Sequence, residues 1–342
     1  MFPLRVFVLA LASLAAVIGL AACGGKDESS SSGGSGAGGG SLTLVAYSTP
    51  QEAYQQGLIP GFKKTPDGEG ATFKQSYGGS GDQARAVEGG LPTDVVALSL
   101  APDVNKLVDA GLVAKNWHQD KFQGFVTNSV VVFAVRKGNP KNIKTWDDLI
   151  KDDTEVIEPN PFTSGGAKWN IMAAVGAQKK QGRSPAQSEQ YLKALFDNVE
   201  VQDKSARDSL QTFEGGKGDV LIAYENEALG AQKKGQELDY VIPDQTILIQ
   251  NPIAVTTDAR NAETAKAFID YTRSEEGQKT FADYGYRPVL KSVDDPQKFP
   301  DPPGLFDIGY VGGWSDVNDV YFDPEKGVMA GILSKKGFTT EK

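Results

Sequence analysis

The chain has 342 residues, 39% hydrophobic and 23% charged, an ordinary composition for a soluble globular protein with room for two domains. Its net charge of -9 argues against a nucleic-acid partner, which needs a clustered basic footprint. A single histidine and a single cysteine exclude an intramolecular disulfide and zinc centres built from Cys and His.

The first elements concern address. Arg5 gives a positive n-region, Val6 to Leu20 an apolar h-region, and Leu20-Ala21-Ala22-Cys23 a small-residue end. That last stretch resembles a bacterial lipobox, which implies a lipoprotein signal peptide over 1–22, cleavage before Cys23 and lipidation of its thiol. Gly24 to Ser41 is almost wholly Gly, Ser and Ala after Lys26-Asp27-Glu28, too polar to order itself. Residues 23–41 are therefore expected to be a flexible tether with a reach of roughly 25 Å.

From Leu42 onward strands and helices alternate. Leu42 to Ser48 reads as a strand, and Ser48-Thr49-Pro50 as the start of a helix reaching about Phe62. Ala71 to Ser76 is a second strand, running into Tyr77-Gly78-Gly79-Ser80-Gly81 and a helical segment over 82–87. Asp94 to Leu98 is a short strand, and Val104 to Ala110 a helix ended by Gly111. The Val/Phe run Ser129 to Arg136 reads as a strand buried on both faces. Trp146 to Ile150 starts a short helix. Glu155 to Pro159 is extended and leads into Asn160-Pro161-Phe162-Thr163-Ser164-Gly165-Gly166, followed by a helix from Trp169 to Ala177. Ser188 to Val199 has helical spacing, Asp219 to Tyr224 is another buried strand, and 240–243 and 252–255 are strands before a helix over 262–272. This alternation implies an α/β fold with one or two mostly parallel sheets.

In such sheets ligands sit beyond the carboxyl ends of the strands. Ser48, Gly79-Ser80, Ser164-Gly165-Gly166 and Tyr224 all fall at strand ends, and several of them open helices. The first amides of a helix have no intrahelical acceptor, and the helix dipole favours negative charge there. Hydroxyls and glycines at these points suggest an anion held in a cleft. Catalytic signatures are missing. His118 lies in a loop context, no Gly-x-Ser-x-Gly elbow surrounds Ser80 or Ser164, and Gly215-Gly216-Lys217-Gly218 lacks phosphate-loop spacing. Glu225 and Glu227 would leave a helix start on different sides, so a carboxylate-dependent hydrolase is the weaker alternative. Binding without catalysis, cofactor or metal is expected.

The stretches Gln75 to Gly81, Val135 to Lys141, Asn160 to Asn170, Gly218 to Ala228 and Tyr286-Arg287-Pro288 together resemble the sulfate-binding proteins of bacterial ATP-driven importers, a similarity running from Leu42 to about Trp314. The resemblance implies a two-lobed periplasmic-binding-protein-like fold of type II that closes on one dehydrated sulfate. Residues 42–124 plus 244–342 would form lobe I and 125–243 lobe II. It implies Ser48, Ser80, Ser164, Gly165, Gly166, Ala206 and Tyr224 as ligand contacts, with Gly79 and Arg207 in support, Arg207 bracing its loop from behind. It also implies a membrane permease as partner, a monomeric extracytoplasmic protein, and sulfate as ligand with thiosulfate, phosphate or molybdate as neighbours in chemistry. Four positions depart from the family pattern. Tyr224 stands for a Trp, Ser48 for an Asp, Tyr77 for a His, and Asp208 for a Gly beside Ala206; a carboxylate facing the cleft at 208 would suit a protonated oxyanion.

Overall fold

The computed structural model describes residues 39–338 and Thr340; Cys23, the signal segment and the tether up to residue 38 lie outside the described residues. Three strand–helix units come first. β1 (Ser41–Tyr47) leads into a π-helical run, Ala53–Leu58, continued by α1 (Ile59–Phe62). β2 (Thr72–Gly78) leads into α2 (Ser80–Glu88), and β3 (Val95–Ala97) into α3 (Ala101–Asp109). β4 (Phe125–Arg136) starts four residues before the expected strand.

The next part holds β5 (Val156–Ile157), α4 (Gly165–Lys180), α5 (Pro185–Asp197), β6 (Val199–Val201), α6 (Ala206–Glu214), β7 (Val220–Tyr224), α7 (Glu225–Lys233) and β8 (Leu238–Val241). β9 (Leu248–Val255), α8 (Ala262–Thr272), α9 (Glu275–Asp283) and β10 (Arg287–Pro288) follow, then α10 (Gly313–Tyr321) and α11 (Val328–Lys335). Hydroxyl caps set several helix starts. Ser164, Ser184, Ser205 and Ser274 each accept a backbone N–H of the first turn they precede.

The strands order as β2-β1-β3-β9-β4-β7-β5-β6, with β8 and β10 also paired to β4. The β2-β1-β3 and β6-β5-β7 groups are parallel. Among the described residues, every antiparallel pairing of these strands involves β4 or β9. These two strands are the ones that pass between the groups, so the sheet is mixed where the chain crosses and parallel where strand and helix alternate.

Each group is covered on both faces, which is why its strands read as unbroken apolar runs. Leu44 and Ala46 pack into one core and Val45 into another. Val131, Phe133 and Val135 face one core while Val130, Val132 and Ala134 face a second. Val317, Phe322, Met329 and Leu333 near the C-terminus join the core of Trp146, Trp169, Leu192 and Phe196. Among the described residues no helix is long and apolar enough to cross a membrane.

Candidate functional site

The carboxyl ends of β1, β2 and β3 and the starts of α4 and α6 meet at one cavity lined by Tyr47, Ser48, Thr49, Gly78, Gly79, Ser80, Ser99, Ser164, Gly165, Gly166, Ser205 and Ala206. It is a small pocket, about 10 Å³, walled by hydroxyls and backbone amides. No charged side chain lines it.

Glycines bring the two sides together. Gly81 N–H donates to the Thr163 carbonyl at 3.2 Å, joining the turn after β2 to the turn before α4. A Cβ on Gly79 would lie 2.6 Å from the Thr163 carbonyl oxygen, and one on Gly165 2.8 Å from Ser99 Cβ. Either side chain would force the turns apart.

The donors are backbone amides and hydroxyls. Ser80, Gly165, Gly166 and Ala206 sit in the first turns of α2, α4 and α6, where N–H groups lack intrahelical acceptors. Three helix starts, each worth roughly +0.5 charge, face one point. Ser164 Oγ accepts from Ala167 N–H at 3.4 Å, which leaves its own proton for the cavity. Ser80 Oγ is committed behind the wall, donating to Asp103 Oδ2 at 2.7 Å and accepting from Ser99 N–H at 3.0 Å. Ser80 therefore offers only its amide.

Of the residues expected at the site, Ser48, Gly79, Ser80, Ser164, Gly165, Gly166 and Ala206 line the cavity, and Tyr224 does not. The Tyr224 hydroxyl lies 2.7 Å from Ser99 Oγ, one layer back. Burial holds its phenol well above the ordinary range, so it stays protonated. Arg207 donates to the Ser48 carbonyl at 3.1 Å, to the Thr49 carbonyl at 3.4 Å and to Glu52 Oε1 at 3.3 Å, bracing the loop after β1 from outside. Asp208 is exposed, accepts from Ser205 Oγ at 2.8 Å and does not line the cavity. Tyr77 donates to Gln75 at 2.7 Å and is likewise not in the wall. Ser99, outside the residues expected at the site, also lines the cavity, and Leu98-Ser99-Leu100 carries the same pattern of a hydroxyl between strand and helix.

The two glutamates considered for catalysis diverge. Glu225 is buried in an ion pair with Arg287 at 2.7 Å. Glu227 accepts from Tyr224 N–H at 3.3 Å and Thr49 Oγ1 at 3.5 Å, and burial raises its carboxyl to about 7. Neither lines the cavity.

Comparison with known proteins settles the family. Residues 42–287 match the model for "Bacterial extracellular solute-binding protein". The chain belongs to this family. Among its relatives, the sulfate-binding protein of Synechococcus elongatus is 43% identical, covering 90% of each chain. The thiosulfate-binding protein of Escherichia coli is 38% identical over 76% of this chain and 80% of its own. The structure of the sulfate-binding protein SubI from Mycobacterium tuberculosis aligns with a TM-score of 0.80 at 41% identity, over 83% of this chain and 99% of that one. These relatives are named as binding proteins.

Proposed function

We propose that this protein captures one sulfate ion outside the cytoplasm and hands it to an ATP-driven importer, with thiosulfate as a second ligand. The observation that carries this is the cavity wall: hydroxyls and helix-start amides with no carboxylate to accept a proton from the ligand. Sulfate carries no proton at neutral pH, so a wall of donors serves it, while hydrogen phosphate would leave its proton without an acceptor. Converging dipoles balance a dianion without a matching cation. The sulfate- and thiosulfate-binding relatives support the same ligand class.

Ser48, Ser80, Ser164, Gly165, Gly166 and Ala206 are the contacts in this reading, and Tyr224 supports them through Ser99. One lobe holds 42–124 with β9, α8, α9 and β10. The other holds 125–243, and α10 and α11, expected from the sequence in the first lobe, go with it in this reading because their apolar side chains share its core. The protein acts as a monomer, held to the membrane by a lipid on Cys23, and is not an enzyme. Calorimetry on a tail-free form tests the ligand. Heat with sulfate at micromolar affinity, about -8 kcal/mol, and none with phosphate is expected. The reverse pattern rejects the proposal.

A further inference from the structure

Beside the ion cavity lies a second, polar chamber of about 40 Å³, large enough for two or three water molecules. Thr49 belongs to the walls of both. This chamber holds what the ion cavity lacks: Glu52, Arg207, Glu227 and Lys234. Glu52 follows β1. Arg207 lies in α6 and Lys234 caps α7, on the β6-β5-β7 side. Glu52 Oε1 accepts from Lys234 Nζ at 2.5 Å and from Arg207 at 3.3 Å. One carboxylate thus ties the loop carrying Ser48 to two helices from the other sheet group.

We propose that Glu52, with Lys234 and Arg207, is a latch that sets how long the cleft stays closed on its ion, without touching the ion. This rests on the sulfate reading above. Opening the cleft separates Glu52 from both cations, whereas ion entry into the open form does not involve them. The latch therefore acts on release and leaves capture alone. Glu52 and Lys234 are 27% and 45% exposed, so water and salt weaken the pairs without abolishing them.

Release of radiolabelled sulfate from the full protein, chased with excess unlabelled sulfate, tests this. Glu52→Gln is expected to release sulfate roughly fivefold faster, with association within about twofold of wild type. Lys234→Met should speed release in the same direction. The double variant should be no faster than Glu52→Gln alone, because one partner's loss already breaks the pair. High salt should speed release from wild type and hardly change it for Glu52→Gln. Wild-type retention with unchanged release from Glu52→Gln overturns the latch while leaving the sulfate site intact. A folded Glu52→Gln protein that loses association instead of retention overturns it too. A wild type that retains no sulfate overturns the ligand reading, and the latch falls with it.

Discussion

Two neighbouring chambers share Thr49 and follow opposite rules. The ion cavity has no charged side chain in its wall, while the chamber next to it holds two carboxylates and two cations. The difference shows how charge is kept out of a site meant for a charged ligand. Arg207 lies a residue from Ala206 yet turns to Ser48 O, Thr49 O and Glu52. Full charges pair with one another beside the cavity, and its own wall is left with uncharged dipoles.

The most damaging way to break that separation is to put a charge on the wrong side. Ser164→Asp keeps an N-cap residue of the preferred class, so α4 should still form. Its carboxylate would face the cavity, and like-charge juxtaposition in a desolvated site costs several kcal/mol. Sulfate heat should vanish at millimolar concentration in calorimetry while the circular dichroism stays that of the wild type. Retained sulfate affinity would show that Ser164 does not face the ligand.

The charged chamber can be probed through Glu227. Burial raises its carboxyl from 4.5 to about 7; Tyr224 N–H, Arg207 and Thr49 oppose that rise and Glu214 adds to it. Between these values the folded protein keeps a proton that the unfolded chain has lost. Stability from this group therefore falls as pH rises from about 4.5 to about 7, then levels off, by about 3 kcal/mol in total. Glu158, also raised by burial, slopes the same way. Urea titrations at pH 5 and pH 8 should show a smaller difference for Glu227→Gln than for wild type. An equal difference in the two proteins would mean that Glu227 does not titrate in this window.

A gentler test of the ion cavity removes one donor without adding charge. Ser164→Ala should weaken sulfate binding by roughly 1–3 kcal/mol, since a hydrogen bond to a buried charge is lost. An unchanged Kd would take its hydroxyl off the contact list.

Much of this was legible because the information is local. A hydroxyl or glycine between an apolar run and a helix start is visible in Ser48, Gly79-Ser80 and Ser164-Gly165-Gly166, and the fold rule places such points together. What escaped depends on partners distant in sequence. Ser99 meets Tyr224 across 125 positions, and nothing near either residue announces the pair. β6 is three residues long, too short for an alternation to register, whereas β5 falls inside the extended run Glu155 to Pro159. α6, α9, α10 and α11 run only eight or nine residues, and α10 and α11 start at Gly312 and Gly327 without a side-chain cap. The antiparallel course of β9 was likewise invisible, because direction comes from where the chain crosses between sheets and not from its residues.

Tyr224 gives the smallest and most discriminating effect. Its hydroxyl reaches Ser99 Oγ at 2.7 Å and its ring lies behind Gly166, whose Cβ position is 3.6 Å from Tyr224 Cε1. Either hydroxyl can donate in this pair, and when the phenol does, the serine proton is left to point into the cavity. Tyr224→Phe keeps the ring and deletes that hydrogen bond, so Ser99 must find another partner or turn away. The expected cost is about 1 kcal/mol in stability, with a loss of about threefold in sulfate affinity. Ser99→Ala should lose as much, and the double variant no more than either, because both act through one hydrogen bond. Additive losses in calorimetry would mean that Tyr224 reaches the ion by a route of its own, as a residue at the end of β7 was first expected to do.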